Sequence, residues 1–198
     1  MTFGQPITRP QRYKLTTTDY ALLTEAGAFA GYAKTELIDG EVVALNAQHR
    51  PHARAKDEIA YRLRRALEAL GSDLQVLTEV TVDMPPHGSP QPDILLTSEA
   101  LGEGPVPVSS VALIMEVADT TLDFDLGPKA ELYAAAGVPE YWVIDLNEDR
   151  CLLHMGASAD GYAEQIDVPF GETLLSGTIE GLAADTHGLS ARREHGRD

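Results

Sequence analysis

Between residues 93 and 129 the chain places an aspartate, a glutamate and a lysine on segments that read as buried. Pro92-Asp93-Ile94-Leu95-Leu96 has the composition of a short core strand that opens on a carboxylate. Val111-Ala112-Leu113-Ile114-Met115-Glu116-Val117-Ala118 is an apolar run broken only by Glu116. The segment 127–137 carries Pro in its first turn and Gly at its end, the punctuation of a helix. On that helix Lys129, Leu132, Tyr133 and Ala136 recur at i, i+3, i+4 and i+7, so the lysine shares the inward face. Charges taken out of water are strongly disfavoured unless they pair or hold a metal. A fold that buries these segments must therefore bring the three side chains to partners, and their meeting point is a candidate site. A buried ion-pair network with a purely structural role is the competing reading.

The rest of the chain supplies a mixed sheet flanked by helices, an α/β fold. Thr16-Thr17-Thr18-Asp19 can cap a short helix running to Gly27. Asp39-Gly40, between 34–38 and 41–45, is the strongest hairpin signal and sets Ile38 opposite Glu41 and Glu36 opposite Val43. Strand alternation puts Glu36, Ile38, Glu41 and Val43 on one face; inward, that face adds Glu36 to the buried carboxylates, and outward it leaves Glu36 solvated. His52, Ala55, Ile59, Leu63, Leu67 and Leu70 form the stripe of a long helix closed by Gly71. Alternation over 74–82 predicts a strand, as do 141–145, 151–155, 162–168 and 172–179. One domain over 15–190 is expected, with a flexible tail at 1–14 and a disordered one at 191–198.

Several function classes are excluded or weakened. No stretch of eighteen or more apolar residues occurs, so no transmembrane helix and no membrane partner are expected. Met1-Thr2-Phe3-Gly4-Gln5-Pro6 lacks the layout of a signal peptide, and the single Cys151 reads as a small core residue, which together predict a cytoplasmic protein. Zinc-type Cys/His spacing, a GxxxxGK[ST] phosphate loop and a nucleophile-elbow Gly-x-Ser-x-Gly are absent. The net charge of −16 repels polyanions, so binding to DNA must use a local basic patch or metal ions. The one candidate patch lies on the long helix, where Arg54, Arg62, Arg64 and Arg65 fall off the core stripe. The alternative is that these arginines form a solvated helix face.

Two carboxylates on neighbouring strands suit a hard cation, Mg²⁺ with Mn²⁺ as substitute, which takes one or two carboxylates plus water and phosphate oxygens. A nearby lysine can orient or deprotonate the attacking water, or neutralise charge on the phosphoryl oxygens. Asp119, Asp123 and Asp125 can also be read as ligands, but they precede a helix start, where anions are favoured, and turn and capping roles are preferred; Asp145 closes a core strand and reads as structural.

Glu36-Leu37-Ile38-Asp39-Gly40-Glu41, His52, Pro92-Asp93, Glu116-Val117-Ala118-Asp119-Thr120-Thr121, Asp125, Lys129, Tyr133 and 137–145 resemble the Uma-two family of putative endonucleases. That family belongs to the PD-(D/E)XK nuclease superfamily, and the resemblance covers roughly residues 15–180. It implies a restriction-endonuclease-like fold with Asp93 and Glu116 as metal ligands. The superfamily's usual lysine lies two residues after the glutamate, where this chain has Ala118; the resemblance moves that role to Lys129. It also places Glu36 and His52 near the site. A Mg²⁺-dependent endonuclease acting on DNA, as a homodimer by superfamily habit, is the expected function. A non-catalytic binding or regulatory module on the same fold is the alternative.

Overall fold

The computed structural model describes residues 9–190. The expected tail at 191–198, and the first part of the one at 1–14, lie outside the described residues. Helix α1 (Thr17–Glu25) starts at a capping box in which Thr16 and Asp19 satisfy each other's backbone N–H, and none of its residues is buried. A hairpin follows, β1 (Lys34–Ile38) and β2 (Glu41–Leu45), in the register set by Asp39 and Gly40. Both turn residues have positive φ, 48° and 79°, which the twist of a two-residue hairpin requires. Next come α2 (Arg50–Leu70), β3 (Gln75–Thr78), β4 (Val82–Asp83), β5 (Ile94–Thr97), β6 (Val106–Pro107) and β7 (Val111–Ala118). The helical region after β7 comprises α3 (Leu122–Phe124), a π-helical turn at Asp125–Lys129 and α4 (Ala130–Ala135). Strands β8 (Glu140–Asp145), β9 (Arg150–Ser158), β10 (Gly161–Pro169), β11 (Thr173–Leu175) and β12 (Ala183–Asp185) complete the order.

Six strands form the central sheet in the order β10-β9-β8-β7-β5-β3. Only β7 and β8 run parallel within it, which obliges a crossover and explains the helical region between them. Alternation along β5 and β7 divides the core. Ile94, Leu96, Leu113, Met115 and Val117 pack under Ala55, Ile59 and Leu63 of α2. Leu95, Ile114 and Ala118 face the other way, toward Tyr133, Tyr141 and Val143. Glu116 has the parity of Ile114 and Ala118, so it projects into this second layer.

Three expected elements differ. The strand over 74–82 breaks after Thr78, because Glu79 adopts φ 54°, a left-handed conformation that cannot continue a ladder. The strand over 172–179 stops at Leu175, where the N–H groups of Gly177 and Thr178 turn to the Glu140 carboxylate. The helix over 127–137 is divided, since Pro128 has no N–H to donate back one turn and the chain there takes a wider π turn. Leu70, the last residue of the predicted stripe, remains 44% exposed.

Candidate active site

Asp93 stands immediately before β5, and Ile94 is opposite Met115 of β7. That register sets Asp93 beside Glu116, on the same face of neighbouring strands. The Val117 N–H donates to Asp93 Oδ2 at 2.9 Å, and the Asp93 N–H reaches Glu116 Oε2 at 3.3 Å. Asp93 and Glu116 are 4% and 3% exposed, so backbone donors replace much of the water these carboxylates have lost.

The π turn swings Lys129 under the pair. Its ammonium donates to Glu116 Oε1 at 2.8 Å, lies 3.2 Å from Glu36 Oε2 and 3.9 Å from Asp125 Oδ1. Tyr133, one helical turn on, donates its hydroxyl to the same Glu116 oxygen at 2.7 Å. Glu36 is fully buried on β1, 3.0 Å from Lys34, yet neither of its carboxylate oxygens accepts a hydrogen bond. His52, in the first turn of α2, meets Asp93 Oδ1 through Nε2 at 3.0 Å. The predicted Glu36, His52, Asp93, Glu116 and Lys129 are therefore one cluster. His52, Asp93, Glu116 and Lys129 line a cleft of about 460 Å³ whose walls include Leu45, Gln48, His49, Thr120 and Phe124, whereas Glu36 is fully buried and does not line it.

The electrostatics follow from the crowding. Burial pushes the Glu116 carboxyl up to about 8; Lys129 pulls the other way, while Asp93, Asp125 and Glu36 add to the rise. Burial likewise takes Asp125 up to about 6 against the pull of Lys129 and the Thr121 hydroxyl. For Asp93 burial is outweighed by the His52 contact, the Val117 N–H and Lys129, which hold it below the usual carboxylate range. Burial would lower Lys129, but Glu116, Glu36 and Asp125 outweigh it and hold the ammonium above its ordinary value. Lys129 is thus a fixed cation here, suited to orienting and neutralising rather than to taking a proton.

The oxygen donors fit a divalent cation. Four buried carboxylates surround one buried ammonium, two carboxylate oxygens lack hydrogen bonds, and burial raises the Glu116 carboxyl despite the pull of Lys129. Among the described residues no three His, Cys, Asp or Glu side chains form a ready-made cage. Mg²⁺ does not need one, because it binds through one or two carboxylates and keeps water or substrate oxygens.

The four arginines are elsewhere, and none lines the cleft. Arg54 donates to the Gly188 carbonyl at 3.0 Å. Arg62 donates to the carbonyls of Asp185 and His187 at 2.6 and 2.8 Å and pairs with Glu58 at 2.8 Å. Arg65 reaches the Tyr61 hydroxyl at 3.1 Å, and Arg64 borders a small pocket beside Glu68 and Ser72. Sequence reasoning named two further members of the cluster without assigning them to the site. Asp125 reads as a cap but lies four residues before Lys129, a spacing that faces the same side. Tyr133 was on the inward stripe, and its hydroxyl needed a buried partner. Asp145 is structural as expected, accepting from the N–H groups of Asn147 and Glu148 and from Arg150.

A mixed sheet carrying paired carboxylates on adjacent strands, with a lysine docked beneath them, defines a restriction-endonuclease-like nuclease fold. One solved structure, a putative nuclease belonging to DUF820 from Anabaena variabilis, superposes with a TM-score of 0.62 at 15% identity, covering 82% of this chain and 88% of that one. No curated protein sequence matches the chain. Residues 20–187 match the profile of the Uma2 family, described as putative restriction endonuclease, and the chain belongs to that family.

Proposed function

We propose that the chain is a metal-dependent endonuclease that hydrolyses phosphodiester bonds of DNA, with Asp93 and Glu116 holding Mg²⁺. The observation that carries this is the placement of both carboxylates at the cleft floor with the Lys129 ammonium 2.8 Å from Glu116. When bound, the ion would supply Lewis-acid polarisation of the scissile phosphate. Lys129 offsets charge developing on the phosphoryl oxygens, and Tyr133 keeps Glu116 in place by its hydroxyl. His52 fixes the Asp93 carboxylate from the opposite side, and Glu36 holds the lysine in reach. Hydrolysis joins a water oxygen to phosphorus and breaks one P–O ester bond, the leaving oxygen taking a proton. A homodimer is the arrangement that presents two such clefts to antiparallel strands.

Asp93→Asn and Glu116→Gln are expected to reduce cleavage by on the order of 10³-fold, as loss of one preorganised electrostatic group in a dry site does. Each should also weaken Mn²⁺ binding by calorimetry while the protein stays folded. Two variants that bind Mn²⁺ like the parent would sink the assignment. A non-catalytic module is the second reading, favoured by the charge of −16 and by the internal engagement of Arg54 and Arg62. Divalent ions separate the two: a nuclease site gains melting temperature with Mn²⁺ and loses that gain in Asp93→Asn.

A further inference from the structure

Gln48 stands on the cleft wall, in the connection between β2 and α2. Its amide is used at both ends. Nε2 donates to Asp93 Oδ1 and to Glu79 Oε1, each at 2.9 Å, and Oε1 accepts from Lys56 Nζ at 2.7 Å. The same ammonium donates to Glu79 Oε1 at 2.7 Å. Only one amide orientation works: turned over, the NH₂ would face the ammonium and the carbonyl oxygen would face two carboxylates. Lys56 is 6% exposed on α2, beside the Ala55 and Ile59 stripe, so it is a second buried lysine outside the Lys129 cluster.

Glu79 is fixed by its backbone. It takes the left-handed φ of 54°, its N–H reaches the Asp93 carbonyl at 3.3 Å, and its own carbonyl accepts from the Gln91 amide. A non-glycine residue in that conformation is disfavoured unless surrounding contacts hold it, and here they aim its carboxylate at Gln48 and Lys56. Lys56 and Glu79 thus converge on the Gln48 amide, which in turn donates to one oxygen of Asp93.

The consequence lies in the lone pairs. A carboxylate offers about four acceptor directions. On Asp93, Oδ1 accepts from both Gln48 and His52, whereas among the described residues Oδ2 accepts only from the Val117 N–H. We propose that Gln48, oriented by Lys56 and Glu79, is a positioning residue that keeps Asp93 in one orientation and leaves the open acceptor on Oδ2. Its effect on catalysis rests on Asp93 being a metal ligand, as proposed above; its effect on Asp93 does not.

The test is Gln48→Met, which keeps the length of the side chain and removes the amide, with Gln48→Glu as a second variant. Gln48→Glu still accepts from Lys56 but sets a carboxylate against Asp93. Three measurements are made: a metal-free crystal structure, Mn²⁺ calorimetry, and steady-state cleavage of DNA. In Gln48→Met the Asp93 side chain should occupy more than one orientation. Mn²⁺ affinity should fall about tenfold, as for other partners that orient a metal ligand, and kcat should fall with KM kept. A role in packing alone would lower the melting temperature without that split. A single parent-like Asp93 orientation, or a measurable parent Mn²⁺ affinity left unchanged by both variants, overturns the proposal. If Asp93 loosens while the parent neither binds Mn²⁺ nor cuts DNA, the positioning role stands and the nuclease reading falls.

Discussion

Two fully buried glutamates in this molecule are treated in opposite ways. Glu140, at the start of β8, accepts from Trp142 Nε1 at 2.6 Å, from the Ser176 and Thr178 hydroxyls at 2.6 and 2.7 Å, and from two backbone N–H groups. Its donors are all neutral, and together they pin the segment after β11 to the central sheet. Among the described residues Glu36 accepts no hydrogen bond, and the ammonium groups of Lys34 and Lys129 lie 3.0 and 3.2 Å from its oxygens. Burial alone therefore does not tell the two glutamates apart; the kind of partner does. Hydrogen bonds from neutral groups complete a carboxylate, while a shared lysine leaves it able to exchange partners.

The strongest challenge to this contrast is Lys129→Met. It leaves several buried carboxylates without their cation, which is expected to destabilise the metal-free protein by about 3 kcal/mol in denaturant melts. Turnover should be nearly lost while Mn²⁺ binding persists, and Mn²⁺ should restore part of the stability. Unchanged turnover would return the lysine to a structural role. Glu140→Gln tests the other region. Removing the charge that gathers five donors should lower stability by roughly 2 kcal/mol and leave Mn²⁺ affinity untouched. A Mn²⁺ defect in that variant would erase the distinction between the two glutamates.

Glu36→Gln and His52→Ala should have smaller consequences. Each is expected to reduce cleavage by less than loss of Asp93 does, and Glu36→Gln should change stability by no more than about 1 kcal/mol, because Lys129 retains Glu116. Stability falling as far as in Glu140→Gln would make Glu36 another structural carboxylate. The smallest expected effect concerns the helix arginines. Reversing Arg64 and Arg65 to Glu should flatten the salt dependence of DNA binding by about 0.9 in log–log slope for each phosphate no longer neutralised. Arg62→Glu should instead act mainly on stability, since its guanidinium holds the 185–187 carbonyls. A thermal melt beside the binding isotherm tells the two apart.

The sequence made the hairpin register legible because Asp39-Gly40 carries its own turn chemistry. The Asp93 and Glu116 strands were legible because apolar runs bounded by turn residues leave few alternatives, and Lys129 because helical phase is local arithmetic. What could not be read were interactions made across the fold. Alternation gave the face of Glu36 but not whether that face was covered. The break at Glu79 was invisible because the alternation of Val76, Thr78 and Val80 continues straight through it. Lys56 lies next to the predicted stripe, and only the arrival of Gln48 and Glu79 from other elements gives its ammonium partners. Arg54 and Arg62 looked free for phosphates because backbone carbonyls more than a hundred residues away leave no trace in local pattern.

The docking of the hairpin onto the lysine also bears on the order in which the molecule assembles. The two strands of the hairpin can pair early, since their turn is local, but Glu36 and Lys129 lie at opposite ends of a long loop of chain. Contacts of that separation form after local ones, because closing the loop must precede any gain from it. A nascent or partly unfolded chain therefore carries the acidic residues in water, spread out and individually weak as ligands. Only completion of the sheet crowds them together. On the proposed reading, capture of a cation is in this way a property of the finished fold, and its appearance during refolding should trail the formation of secondary structure.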